Sequence, residues 1–269
     1  ISPNGDGQAD TALLEYRLST PANVTVAIVD PNAVTVATVV DRVWTRAGEH
    51  SVDVDAAALP DGIYSIVLTA RTAAGSEVQK TVPITVSRTL GLVTVSPALF
   101  SPNDDGRLDE LEIGFALAAQ ADVRVRILRD GRWVASPLVA SYPPGLQRFV
   151  WNGIRSSGRL RDGMYEAVIE ARDAIGTISV AVPFASDTTP PRVRILRGRP
   201  LRIQLSEPAA LTLRIDGAIR RREARNAGIV RIPWRGRAAR VRVVAVDAAG
   251  NSSAPIVRVT RTRPSAPGQ

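Results

Sequence analysis

An internal repeat constrains this chain more than any other feature. SPNGDGQAD at residues 2–10 returns as SPNDDGRLD at 101–109, and Tyr16, Leu18, Val24, Val26 and Ile28 fall on Phe115, Leu117, Val123, Val125 and Ile127 at the same offset of 99. PDGIYSIVLTARTAAG at 60–75 pairs with RDGMYEAVIEARDAIG at 161–176, with the offset grown to 101 by loop insertion. A third, worn copy follows: LSEPAALTLRI at 205–215 overlays LSTPANVTVAI at 18–28, and VRVVAVDAAG at 241–250 resembles the end of the second unit, but the Asn/Asp/Gly opening is gone. Self-similarity at this period means tandem units, each closing its own core.

Within a unit the apolar period is two. Val24, Val26 and Ile28 share one face and Thr25 and Ala27 the other, the signature of half-buried strands. Turn signals at Asp61-Gly62, Asp130-Gly131, Asp162-Gly163 and Asp216-Gly217 separate such runs, and no segment of ten or more residues carries a helical period. The expected fold class is all-β, as tandem Ig-like antiparallel β-sandwiches of about seven strands each. The expected boundaries are 1–88, 89–187 and 188–263, with a frayed tail at 264–269 and a stiff DTTPP linker at 187–191. The second unit has a strand-like VTVS at 93–96 before its loop, whereas the first begins at Ile1, the counterpart of Phe100. The first unit is therefore expected to lack its opening strand and to belong to a longer polypeptide.

The stretch FVWNGIRSSGRLRDGMYEAVIEARDAIG at 149–176, with its W-N-G, D-G-x-Y and A-x-D-x-x-G steps, resembles the Ig-like domain of the flagellar hook-capping protein (the FlgD Ig-like family). The SPNxDG opening is similar to gliding-motility C-terminal-type domains of secreted bacterial proteins. The resemblance covers units one and two and the second half of unit three. It departs in unit one, where SVDVD at 51–55 replaces the tryptophan motif. It implies non-catalytic modules standing behind enzymes or adhesins at the bacterial surface, and hence an extracellular or cell-surface location.

The residues independently argue against chemistry. Cysteine is absent and His50 is the only histidine, which removes thiol nucleophiles, disulfides, Cys/His zinc sites and any catalytic triad not built on that one residue. No run of 18 apolar residues exists.

The loops offer a metal reading. On the EF-hand template Ser101 takes position 1, Asn103 position 3, Asp105 position 5, Gly106 the sharp turn, Arg107 a carbonyl, Asp109 position 9 and Glu112 position 12. The first loop supplies Ser2, Asn4, Asp6 and Asp10 but has Leu13 at position 12. Calcium is the expected ion, bracing a joint; the competing reading is an Asx-type turn whose side chains bond their own backbone.

Charge is uneven. Residues 192–269 carry 18 basic and 4 acidic groups, net +14 in a chain of net +8. Arg220, Arg221, Arg222 and Arg225, with Arg240 and Arg242 on one face of a strand, present bidentate guanidinium forks suited to phosphate or carboxylate polymers. An anionic cell-wall polymer or polysaccharide is the expected partner. Nucleic acid is disfavoured because no stacking aromatics are interleaved with the arginines. The competing reading is a wet face with no partner.

Tyr64 and Tyr165, at equivalent repeat positions, suit core packing or a tyrosine corner, and Trp151 and Trp234 the core. Trp44, Trp133 and Tyr142 remain as sugar-stacking platforms. The expected function is a non-catalytic spacer and interaction region of a secreted or cell-surface bacterial protein, calcium-braced at its loops. The alternatives are adhesion to anionic polymers through the third unit, or an auxiliary carbohydrate-binding region of a glycan-active enzyme.

Overall fold

Alternating apolar runs, separated by turns such as Asp61-Gly62, Asp130-Gly131 and Asp216-Gly217, leave antiparallel pairing as the way to bury one face. The computed structural model describes residues 1–196, 200–232 and 240–259, with backbone only at 220–224. Among them every regular element is a strand, and the fold is all-β, in Ig-like sandwiches. Trp234 and the tail at 264–269 lie outside the described residues.

The first repeat holds β1 (Thr11–Leu18), β2 (Ala22–Val29), β3 (Thr35–Thr45), β4 (Gly48–Asp55), β5 (Gly62–Arg71) and β6 (Glu77–Val86). They form a two-stranded sheet β1-β4 and a four-stranded sheet β3-β2-β5-β6. Val24, Val26, Ile28 and Val54, all fully buried, and Ile66 form the centre of its core. Burying one such side chain is worth about 1.5–3 kcal/mol.

The second repeat adds β7 (Leu90–Ser96), β8 (Leu99–Phe100), β9 (Leu111–Leu117), β10 (Ala121–Arg129), β11 (Arg132–Tyr142), β12 (Gly145–Trp151), β13 (Ile154–Arg155), β14 (Gly158–Arg159), β15 (Gly163–Arg172) and β16 (Thr177–Ser186). Its sheets run β12-β9-β7 and β11-β10-β15-β16-β8, with β13 and β14 as a small hairpin. The third repeat holds β17 (Val193–Leu196), β18 (Leu201–Leu205), β19 (Ala209–Ile215), β20 (Ala218–Arg225), β21 (Gly228–Ile232), β22 (Arg240–Val246) and β23 (Ile256–Val259), in sheets β17-β18-β21 and β20-β19-β22-β23. Its core is built on Ile203, Leu213, Ile215, Val243 and Ala245.

The repeat extends to register. Leu18 faces Gly48 across β1 and β4, and Leu205 faces Gly228 across β18 and β21. Among the described residues the first repeat has six strands and the third the expected seven, while the second has ten because it adds β8 and the β13–β14 hairpin. The chain divides into two compact units, Ile1–Val95 with Glu112–Trp151 and Tyr165–Pro183, and Ser96–Leu111 with Asn152–Met164 and Phe184–Gln269. The second repeat contributes residues to both.

Candidate functional site in the SPNxDG loops and their seats

The two loops share one backbone trace. Gly5, Gly7 and Ala9 have φ of 80°, 81° and 55°, and Asp104, Gly106 and Leu108 have 64°, 81° and 53°. Three left-handed residues in five explain the composition: glycine adopts that region freely and aspartate tolerates it, whereas Ala9 and Leu108 need compensation. The closing aspartate supplies it. Asp10 accepts from the Gly5 and Gly7 N–H groups at 2.9 and 2.8 Å, and Asp109 from those of Asn103, Asp104 and Gly106 at 2.9, 2.6 and 2.6 Å. Burial pushes the Asp109 carboxyl up, but backbone donors from Asp104, Gly106, Asn103 and Arg107 outweigh it and hold the group below its ordinary value.

Asn4 and Asn103 each accept from the N–H two residues on, as do Asp6 and Asp105. The turn pattern expected of Asx residues is thus realised at every step. Of the remaining metal candidates, Arg107 lays its stem against Gly250, where a β-carbon would sit 3.2 Å from Arg107 Cβ. Glu112 lies in β9, ion-paired at 2.7 Å with Arg148.

What remains free in each loop grips chain far away in sequence. The hydrogen bonds from the first loop to its seat join residues of the compact unit that holds Ile1–Val95, and those from the second loop join residues of the other compact unit. Ser2, fully buried, donates its hydroxyl to the Leu90 carbonyl at 2.6 Å, and Asn4 Nδ2 reaches the same oxygen at 3.3 Å. Asp6 Oδ2 accepts from the Leu92 N–H at 2.6 Å, and the Gln8 amide bonds both backbone groups of Val93. Leu92 sits at φ 50°, an unfavourable conformation for leucine, where its N–H meets that carboxylate. Gly91 makes the approach possible: a β-carbon there would lie 2.3 Å from Asn4 Nδ2.

The second loop repeats the grip on a different seat. Ser101 Oγ and Asn103 Nδ2 both donate to Asn251 Oδ1 at 2.7 Å. Asn251 is fully buried, and its own Nδ2 donates to the Asp187 carbonyl at 2.9 Å and to Asp247 Oδ2 at 3.0 Å.

The D-G turn aspartates secure the linkers. Asp61 takes the Arg88 N–H and guanidinium, while Arg88 also bonds the carbonyls of Pro3, Ala57 and Leu59. Asp162, its counterpart, takes the N–H and hydroxyl of Thr188 and the hydroxyl of Thr189. Burial raises Asp162 and those donors more than offset it, so its carboxyl lies below the ordinary value. Asp173 is lowered in the same way: burial raises it, and Thr89, Gly176, Ile175 and Ser87 outweigh that.

Beside the second seat, Asp187, Glu207 and Asp247 bring carboxylate oxygens within 4.8 Å of one another. Burial is the main reason that Asp187 and Glu207 titrate above their ordinary values, and the neighbouring carboxylates add to it. Sequence reading missed this trio because its members are scattered over 61 positions. Asn251 was missed for the same reason, although a glycine inside a strand, as at Gly91, is a known sign of close backbone approach.

All six candidate arginines fall in one sheet, on the strands flanking β19. Arg220, Arg221, Arg222 and Arg225 belong to β20. Arg240 and Arg242 are exposed on β22, alternating with buried Val241 and Val243, and Arg242 stands opposite exposed Arg214. Among the aromatics, Trp151 is buried, Tyr64 donates its hydroxyl to the Pro60 carbonyl at 3.1 Å in the manner of a tyrosine corner, and Tyr165 packs under Arg129. Trp44 and Trp133 are exposed, whereas Tyr142 stands edge-on to Phe115. His50 Nε2 lies 2.8 Å from the Arg46 carbonyl oxygen.

No family model matches the chain, and neither does any curated protein. Among solved structures it is similar to a tetra-tandem repeat from the extending region of a large adhesion protein, at 18% identity over 95% of this chain and 72% of that one, with a TM-score of 0.27. A Ca2+-stabilized adhesin with which an Antarctic bacterium binds ice gives 18% over 93% and 68%, TM-score 0.30. The chicken CNTN1 FN1–FN3 domains give 14% over 94% and 95%, TM-score 0.31. These scores fall short of a shared arrangement, so a functional reading rests on this chain's own residues.

Proposed function

We propose that the chain is a non-catalytic spacer and interaction region of a secreted or cell-surface bacterial protein. Its three repeats, 1–88, 89–187 and 188–263, are joined by SPNxDG loops acting as latches. The observation that carries this is the recurrence of one grip on two seats: Ser2 and Asn4 on the Leu90 carbonyl, Ser101 and Asn103 on Asn251. A motif whose backbone is satisfied internally, and whose leftover side chains hold the next stretch of chain, serves mechanical continuity. Force spectroscopy on the full chain tests it. Latch variants at Asn4 and Asn103 are expected to lower the force at which the repeats yield. Unchanged yielding, or turnover of a glycan or peptide by the isolated polypeptide, overturns the reading.

Calcium bracing is the second reading, favoured by the crowding of Asp187, Glu207 and Asp247. With an extracellular-type Kd of about 10⁻⁴–10⁻³ M, roughly 1 mM calcium would stabilise by about 0.4–1.4 kcal/mol. A melting temperature equal in calcium and in chelator removes it.

Adhesion to an anionic wall polymer through the β20-β19-β22-β23 sheet is the third, carried by the exposed Arg214, Arg240 and Arg242. Salt-sensitive binding to a purified polyanion, lost when Arg240 and Arg242 become alanine, supports it. Affinity for neutral glycans would favour the carbohydrate-binding alternative instead.

A further inference from the structure

The β20-β19-β22-β23 sheet of the third repeat differs from its internal copies at one cross-strand pair. That pair is Ala27 opposite Val67 in the first repeat, Arg126 opposite Val168 in the second, and Arg214 opposite Arg242 in the third. In the second repeat the arginine is matched, because Arg126 forms an ion pair with Glu170, two residues along β15 from Val168. In the third repeat the counterpart of Glu170 is Val244, and that of Glu166 is Arg240. Arginine therefore stands where the second repeat has Val168 and Glu166, and valine where it has the balancing carboxylate of Glu170.

Arg214, Arg240 and Arg242 are all exposed. Among the described residues none of the three side chains makes an ion pair or a hydrogen bond; Arg240 is held only by its backbone N–H, which donates to Asp216 Oδ1 at 2.8 Å. Like charges placed directly opposite destabilise a sheet, and the first repeat shows that alanine and valine satisfy the fold at this place. Opposed residues stand on the same face with Cα atoms about 4.5–5.5 Å apart. Two guanidinium forks so placed can meet on one anion.

We infer that Arg214 and Arg242 clamp a single phosphomonoester group, with Arg240 as an outer contact about 7 Å along β22, and that a phosphorylated polysaccharide carries the group. This rests on the reading of the sheet as a surface for an anionic polymer, and it names the anion. One fork takes both oxygens of a carboxylate, which leaves the second arginine unmatched in donors and in charge. A phosphomonoester brings three acceptor oxygens and a charge of about −1.5 to −2, which matches both. The carrier follows from the row in which the pair stands: Ile219, Arg214, Arg242 and Val257 lie side by side across the four strands. Ile219 and Val257 are each 43% exposed, and the two arginines hold them apart. The row thus offers no contiguous apolar patch to enter a bilayer, and a hydrated polymer is the carrier that fits.

The test is binding of the full chain, at physiological salt, to dextran bearing phosphomonoester groups, to carboxymethyl dextran of equal charge density, and to phosphatidylcholine vesicles containing phosphatidic acid. The phosphorylated dextran is expected to bind at least about tenfold more tightly than the carboxymethyl form. The double variant R214A/R242V, which installs the pair that the first repeat carries, is expected to lose about tenfold or more of that affinity. The control R194A/R231A removes the same charge from exposed positions of the β17-β18-β21 sheet and is expected to stay within about threefold of the parent. Equal binding of the two dextrans, equal losses in the two double variants, or tighter binding to the vesicles would each overturn the clamp while leaving a polyanion-binding chain. Binding to none of the three probes would overturn the clamp and the adhesive reading together.

Discussion

Ser101 and Asn251, 150 residues apart, are both fully buried and joined by a 2.7 Å hydrogen bond from the serine hydroxyl to the asparagine carbonyl oxygen. With Asn103 donating to the same oxygen, and with Asp187 and Asp247 accepting from the amide, every hydrogen-bonding group of the Asn251 side chain is engaged. Such a centre is costly to break, because each orphaned buried partner forfeits about 1–3 kcal/mol.

Asn251→Ala is accordingly expected to destabilise the chain by about 3 kcal/mol in chemical denaturation. Asn251→Asp keeps the shape but adds a carboxylate beside Asp187 and Asp247, so its deficit should grow as pH rises from 4 toward 7. A deficit independent of pH would contradict the placement of these groups.

Arg88→Met should cost about 1–2 kcal/mol by removing the guanidinium that ties Asp61 to the carbonyls of Pro3, Ala57 and Leu59. A loss no larger than about 0.3 kcal/mol in urea unfolding would reduce this contact to an ordinary surface pair.

Glu207 titrates above the ordinary glutamate value, chiefly through burial and then through Asp187, Asp247 and Asp162. A raised carboxyl binds its proton more readily in the folded than in the unfolded chain, so its contribution is most favourable at low pH and is lost as pH rises through the folded value. Glu207→Gln should therefore melt higher than the parent at pH 7, by on the order of 1 °C, with the gap closing below pH 4.5. Asp162 and Asp173 act in the opposite sense. Their stabilisation is present above the unfolded value of 3.8 and is lost as pH falls through the lower folded values. Asp173→Asn should flatten the acid limb of the stability curve.

Much of the fold was legible in the chain. Period-two runs such as 24–28 and 241–243 became strands with the expected faces buried, because alternation can be satisfied only by pairing. The loops were located by their repeat, but Asp10 and Asp109 fit a calcium template and an Asx turn equally well from composition. Only geometry reveals that their oxygens already hold backbone N–H groups. The seats were not legible at all. Asn251 and Gly91 matter through contacts made 148 and 87 residues away, and no local pattern encodes a long-range partner.

The loop as latch is tested most directly by a double-mutant cycle between Asn4 and Gly91, read by denaturant unfolding of the full chain. A β-carbon at Gly91 would strike Asn4 Nδ2 at 2.3 Å, and its backbone is not in the left-handed region. Gly91→Ala alone is thus expected to cost about 1–3 kcal/mol through the displaced amide. In the Asn4→Ala background the same change should cost clearly less, because the 2.3 Å clash is gone and only Asp6 Oδ2, 3.1 Å from the added β-carbon, has to give by a few tenths of an ångström. Equal costs in both backgrounds would show that the loop does not grip this seat and would contradict the account.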